Sequence, residues 1–76
     1  MDLEREQLSG VVGAAIATLP ERYRIALVLR DIDGLAYEEI SQILKIPGGT
    51  VRSRINRARL MLKRKLEPTL RREALE

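Results

Sequence analysis

The chain has 76 residues, 45% of them apolar, yet its only aromatics are Tyr23 and Tyr37, so any core is built from Leu, Ile, Val and Ala. Cysteine and histidine are both absent, which removes disulfides, thiolate nucleophiles, imidazole bases and the usual ligands of zinc. The net charge of +3 hides a dipole: residues 1–44 hold eight acids and four bases, net −4, whereas residues 45–76 hold ten bases and three acids, net +7.

A single domain of this length buries only about 60% of its unfolded surface, and an aliphatic composition favours packed helices over stacked strands. In the segment 3–19 apolar residues fall at Leu8, Val11, Val12, Ala15, Ile16 and Leu19, the three-and-four spacing of one helical face. Gly10 and Gly13 each weaken this first helix by roughly 1 kcal/mol relative to Ala if they lie in its interior. Pro20 is at ease in a first turn, where its missing N–H costs nothing, so a second helix is expected to begin there. That helix turns Tyr23, Ala26, Leu27 and Leu29 inward, with Ile32 a further inward candidate, and sets Glu21 at the positive end of its dipole.

Asp33-Gly34 breaks the second helix, because glycine adopts the left-handed conformation that ends helices, and Leu35 is expected to fold back onto the core. A short third helix follows over about 37–44, with Ile40, Ile43 and Leu44 on one face and Glu38 and Glu39 in the first turn. Lys45-Ile46-Pro47 stops it. The residue before a proline is pushed out of helical geometry, so Ile46 is expected to be extended and to plug the space between the flanking helices. The fourth helix runs from Gly48 or Thr50 to Glu67, carries the stripe Val51, Ile55, Ala58, Leu62 and Leu66, and is expected to end at Pro68; residues 69–76 are a tail. Some 18 residues make a rod of about 27 Å, long enough to cross a major groove and still dock on the body.

The expected fold is therefore all-α, a small four-helix domain with a helix-turn-helix whose second member is long and basic. This arrangement lays a recognition helix in the major groove of DNA, and a basic half opposed to an acidic half is what steering to a polyanion requires. A merely solvated basic face is the alternative. With the helix projected at about 100° per residue, the core stripe centres between Val51 and Ile55, leaving Gly49, Ser53, Asn56 and Arg57 facing away and Arg52 on the flank. Arginine forks onto guanine, asparagine onto adenine, and serine donates or accepts, so Arg52, Ser53, Asn56 and Arg57 are the candidate base contacts. Candidate phosphate contacts are Tyr37, Lys45, Gly49, Thr50, Arg54, Arg59, Lys63 and Arg64, and the amides at Gly48 and Gly49 offer a positive helix end. Other readings stand beside these. Arg54 and Lys65 border the stripe and could snorkel, Tyr37 could belong to the core rim, and Leu60 could be an isolated surface leucine or part of a protein-binding patch.

No apolar run approaches the roughly 20 residues that a membrane span needs, and the acidic start (Asp2, Glu4, Glu6) is unlike a secretory signal, so a soluble, cytoplasmic monomer is expected. An enzyme is not: the carboxylates have no paired cleft, metal ligand or nucleophile beside them, and no metal or cofactor is expected.

Four stretches carry a family resemblance: Leu19-Pro20-Glu21-Arg22-Tyr23-Arg24, Leu29-Arg30-Asp31-Ile32-Asp33-Gly34-Leu35, Tyr37-Glu38-Glu39-Ile40 and the run from Ile46-Pro47-Gly48-Gly49-Thr50 through Val51-Arg52-Ser53-Arg54-Ile55-Asn56-Arg57-Ala58-Arg59. Over about residues 8–67 the chain resembles region four of bacterial sigma factors, closest to the extracytoplasmic-function group. The resemblance implies recognition of the −35 promoter element, with Arg52, Ser53, Asn56 and Arg57 at base-contacting positions. It also implies two partners, the flap of the RNA polymerase β subunit and an anti-sigma factor. Ala36 departs from the family's Ser or Thr cap, and Ser41 and Lys45 replace the usual small alanine and turn glycine, so a variant turn is expected. The parts of a sigma factor that grip the core enzyme and melt the −10 element have no room here, which reads as an excised domain. Two rival readings are the output domain of response regulators, against which the Leu-Pro-Glu-Arg start and the Asp-Gly-Leu-x-Tyr-Glu-Glu run argue, and a pure protein-interaction module.

Overall fold

The computed structural model describes residues 3–75, with side chains for residues 10–69 and 71. Helix α1 spans Leu3–Ala17, α2 spans Glu21–Leu27 and runs on as a π-helical turn over Val28–Ile32, α3 spans Tyr37–Leu44 and α4 spans Gly48–Leu75. The order and number of helices follow the hydrophobic spacing; the differences lie at their ends and edges.

α1 stops at Ala17, where the Thr18 hydroxyl donates to the Ala15 carbonyl at 2.7 Å and the Leu19 N–H reaches Ile16 at 3.0 Å. Arg24 of α2 reaches back, its Nη1 donating to the carbonyls of Ala17 and Leu19 at 3.4 and 3.3 Å, a cation on the negative end of the α1 dipole. Pro20 sits one position before the expected one. With φ −55° and ψ 144° it caps α2 from outside, and its carbonyl accepts from Tyr23 and Arg24 at 3.0 Å.

Two clusters of buried side chains lie along α4. Ala26, Ile40, Val51 and Ile55 are fully buried, with Leu29, Leu35, Tyr37, Leu44 and Ile46 packed around them. Leu19, Leu27 and Ala58 form the other, against Ile16, Tyr23, Met61 and Leu62. Leu35 and Ile46 thus take the inward places expected of them. Gly34 has φ +74°, the left-handed value for which its lack of Cβ suits it.

Three inward assignments are corrected. Ile32 is 62% exposed because the helix widens before it: the Asp33 N–H bonds five residues back, to Val28, at 2.9 Å. A π turn takes more residues per revolution, so Ile32 lags behind the inward face that a regular 3.6 period predicts. Ile43 is 57% exposed. The buried line of α3 runs through Tyr37, Ile40 and Leu44, and α3 packs on α4 and the π-helical turn, leaving the Ile43 flank uncovered. Val11 is 37% exposed: α1 packs chiefly on α4, and it is Ile16 that meets the core. Leu8 lies outside the described side chains.

The end of α4 is the fourth correction. Pro68 lies inside the helix, which continues to Leu75. Proline withdraws one N–H and so frees the carbonyl four residues earlier, that of Arg64; Pro68 and Arg64 are both exposed, a setting in which solvent can serve a freed carbonyl, and the helix continues past it. At its start, Pro47 accepts from Thr50 and Val51 at 3.0 and 3.1 Å, which settles Gly48 as the first residue.

Candidate nucleic-acid interface

The turn between α3 and α4 comprises Lys45, Ile46 and Pro47, and it closes without glycine. Lys45 takes the left-handed conformation itself, φ 56° and ψ 46°, at a strain of roughly 1–2 kcal/mol for a residue with a Cβ. Ser41 offsets this by clamping Ile46 twice. Its carbonyl accepts from the Ile46 N–H at 3.2 Å, and its hydroxyl donates to the Ile46 carbonyl at 2.5 Å. The variant turn expected from Ser41 and Lys45 therefore keeps helix-turn-helix geometry by a hydrogen bond rather than by backbone freedom. At the head of α3, Ala36 has no oxygen to offer the helix amides, so only half of a capping box forms: the Ala36 N–H donates to Glu39 Oε1 at 3.2 Å.

On α4, Val51, Ile55 and Ala58 face the core at zero exposure, which fixes the rotation of the helix. Arg52, Ser53, Asn56 and Arg57 are all exposed, as are Gly48 and Gly49 at the helix start and Lys63, Arg64 and Lys65 beyond. Thr50 and Arg54 are half-buried, bordering the core. Lys45 projects into solvent from the turn. No acidic residue lies between Gly48 and Leu66 in the sequence, so the charged groups that this stretch itself contributes to the outward face are all cationic.

Two of the expected contacts have internal partners. Arg59 forks onto Asp31 at the end of the π-helical turn, Nε to Oδ2 at 2.9 Å and Nη2 to Oδ1 at 2.6 Å. The Arg59 guanidinium holds the Asp31 carboxyl below its ordinary range, opposed by partial burial, and the carboxylate in turn raises the Arg59 pKa. Arg59, an expected phosphate contact, thus has an internal partner in Asp31. Tyr37 is half-buried, and two guanidiniums lie over its ring: Arg30 at 4.9 Å and Arg52 at 5.6 Å from the centroid. With Glu38, Ser41, Gln42 and Gly48, Tyr37 and Arg52 line a shallow hollow at the mouth of the turn.

A second hollow follows α4 on the side of α2, lined by Tyr23, Arg57, Leu60, Met61 and Arg64. Leu60 is 42% exposed there, beside Tyr23 and Met61. The Tyr23 hydroxyl accepts from Arg22 at 3.1 Å, and that bond, with a smaller contribution from Arg57, lowers its pKa. Arg22, Tyr23, Arg30 and Asp31 are the site residues that spacing along the chain did not single out. Asp31 and Arg59 are 28 positions apart, and no local pattern links them.

A long basic helix held by a short turn against a shorter one, with exposed arginine, serine and asparagine on its leading half, defines a helix-turn-helix domain of the kind that reads double-stranded DNA. Residues 9–62 match the family described as Sigma-70, region 4. The chain is 51% identical over 67 residues to the ECF RNA polymerase sigma-E factors of Escherichia coli (strain K12) and Salmonella typhimurium (strain LT2), covering 88% of this chain and 35% of theirs. It is 46% identical over 67 residues, with the same coverage, to the RNA polymerase sigma-H factor of Pseudomonas aeruginosa. The chain belongs to the sigma-70 region 4 family and falls with its extracytoplasmic-function group. It spans about a third of the length of the curated relatives that it matches.

Proposed function

We propose that the chain reads the −35 promoter element as the C-terminal domain of a sigma factor and so directs RNA polymerase to its start sites. The observation that carries this reading is the exposure of Arg52, Ser53, Asn56 and Arg57 together on the leading half of α4, opposite a face buried at Val51, Ile55 and Ala58. In the major groove these four meet base edges, while Lys45, Gly49, Thr50, Arg54, Lys63 and Arg64 surround them as phosphate contacts.

The domain acts in the cytoplasm as a monomer attached to the polymerase through the β flap, and an anti-sigma factor competes for its surfaces. The exposed Ile32 and Ile43 offer apolar surface to such protein contacts. The domain performs no chemistry; the polymerase does.

Selection of bound duplexes from a random pool at low salt, with and without a polymerase flap fragment, tests the reading. Four to six phosphate contacts give a log–log salt slope of about −4 to −5. On the selected duplex, Arg57→Ala relaxes preference at one base pair, whereas Lys63→Ala weakens all duplexes alike. Equal losses on selected and scrambled DNA for both variants contradict the assignment of bases to α4. If Arg52→Ala combined with Arg57→Ala leaves the main binding activity intact, the chain is a protein-interaction module instead.

A further inference from the structure

Two arginines on one side of α4 are held in opposite ways. Arg52 and Arg59 are seven residues apart, two helical turns, and so lie on the same face. The carboxylate of Asp31 occupies the Arg59 fork with two hydrogen bonds of 2.9 and 2.6 Å. The partner that the structure gives the Arg52 head is an aromatic ring, that of Tyr37, at 5.6 Å.

The difference matters chemically. The carboxylate anchor engages two of the five guanidinium N–H donors, those on the Nε–Nη2 edge, whereas the face of a ring attracts the cation through its quadrupole and takes up none of them. The ring is itself well placed to act as an anchor. Tyr37 opens α3 and packs on the cluster of Ala26, Ile40, Val51 and Ile55, so its plane is set by the core. Arg30 also lies over it, at 4.9 Å, and is fixed in turn by donating Nη1 to the Leu35 carbonyl at 2.9 Å. An exposed arginine ordinarily loses rotamer freedom on docking, and an anchor that orders it beforehand reduces that loss.

We propose that Tyr37 is a positioning residue for Arg52: its ring, not its hydroxyl, holds the guanidinium at the mouth of the turn with its hydrogen-bond donors free to meet a base edge. This rests on the base-reading role given to Arg52 above.

The test uses the whole chain and the duplex selected from a random pool, together with its single-base-pair variants and a scrambled control. Arg52→Ala first identifies the base pair that Arg52 reads. At that base pair, Tyr37→Leu is expected to lower discrimination about two- to fivefold, the size of an exposed cation–π contact, with little change on scrambled DNA. Tyr37→Phe keeps discrimination, and Tyr37→Leu adds no further loss in the Arg52→Ala background. A chain synthesised with pentafluorophenylalanine in place of Tyr37 preserves the ring's shape while reversing its quadrupole. It is expected to fold and to lose discrimination as the leucine variant does, which keeps the test open if the leucine variant is unstable.

The failures are distinguishable. If Arg52→Ala changes preference at no base pair, the base-reading role itself falls and the proposal with it. If Arg52→Ala does so while the fluorinated chain discriminates like the Tyr37→Phe variant, only the positioning role is overturned. If Tyr37→Phe is as impaired as Tyr37→Leu, and on all duplexes equally, the hydroxyl acts, on a phosphate or through the neighbouring Arg59, and the ring is no anchor.

Discussion

Replacing Asp31 with asparagine probes the one ion pair described between distant elements of the chain. The two side chains are 46% and 36% exposed, so despite bidentate geometry the pair is worth about 0.5 kcal/mol and not the several that a buried pair would carry. For a domain of this length 0.5 kcal/mol lowers the melting midpoint by about 2–4 °C. The pH dependence follows from the direction of the shift. The folded-state pKa of Asp31 lies below its ordinary value of 3.8. The stabilisation is therefore fully present above that value and is lost as pH falls through the folded pKa. Thermal unfolding followed by circular dichroism should show parent and Asp31→Asn separated by this margin at pH 7, with the gap narrowing as pH falls below 3.8 and closing as the carboxylate takes up its proton. The same substitution releases Arg59 beside the DNA face, and the log–log salt slope for duplex binding should steepen by about 0.9, one phosphate contact. A melting difference that persists unchanged at low pH, or an unaltered salt slope with the melting shift present, would refute the account of Arg59 as a cation sequestered by Asp31.

Other outcomes follow from the packing and the turn. Ile55→Ala empties a position of zero exposure at the centre of the larger core cluster and should cost about 2–5 kcal/mol, enough to abolish a cooperative melt in so small a domain. Lys45→Gly should act in opposite directions on two readouts: relief of the left-handed strain raises stability by up to about 1 kcal/mol, while loss of an exposed cation makes the salt slope shallower by about 0.9. Ala36→Ser supplies the oxygen missing at the head of α3 and should stabilise the domain by about 1 kcal/mol in chemical denaturation, with duplex affinity unchanged.

Helix order, the core stripe of α4 and the outward set Arg52, Ser53, Asn56 and Arg57 were legible in the residues alone, because a 3.6-residue period on a helix that packs on one side fixes which side chains face water. The Asp33-Gly34 break and the Ile46 plug were legible for the same kind of reason, the local stereochemistry of glycine and of the residue before proline. What lay beyond the sequence depends on which neighbours are present. The spacing of Ile43 and Val11 is that of core residues, yet both stand exposed, because the tertiary packing covers a narrower stripe of each helix than its apolar face. Ile32 turns outward because the second helix widens into a π turn, a register change that hydrophobic period does not encode. Pro68 ends no helix, lying where both it and Arg64 are exposed to solvent. Above all, the use to which each arginine is put was decided in three dimensions. Arg52 and Arg59 share a face and a chemistry, and only the tertiary fold brings a tyrosine ring to one and a carboxylate from 28 residues away to the other.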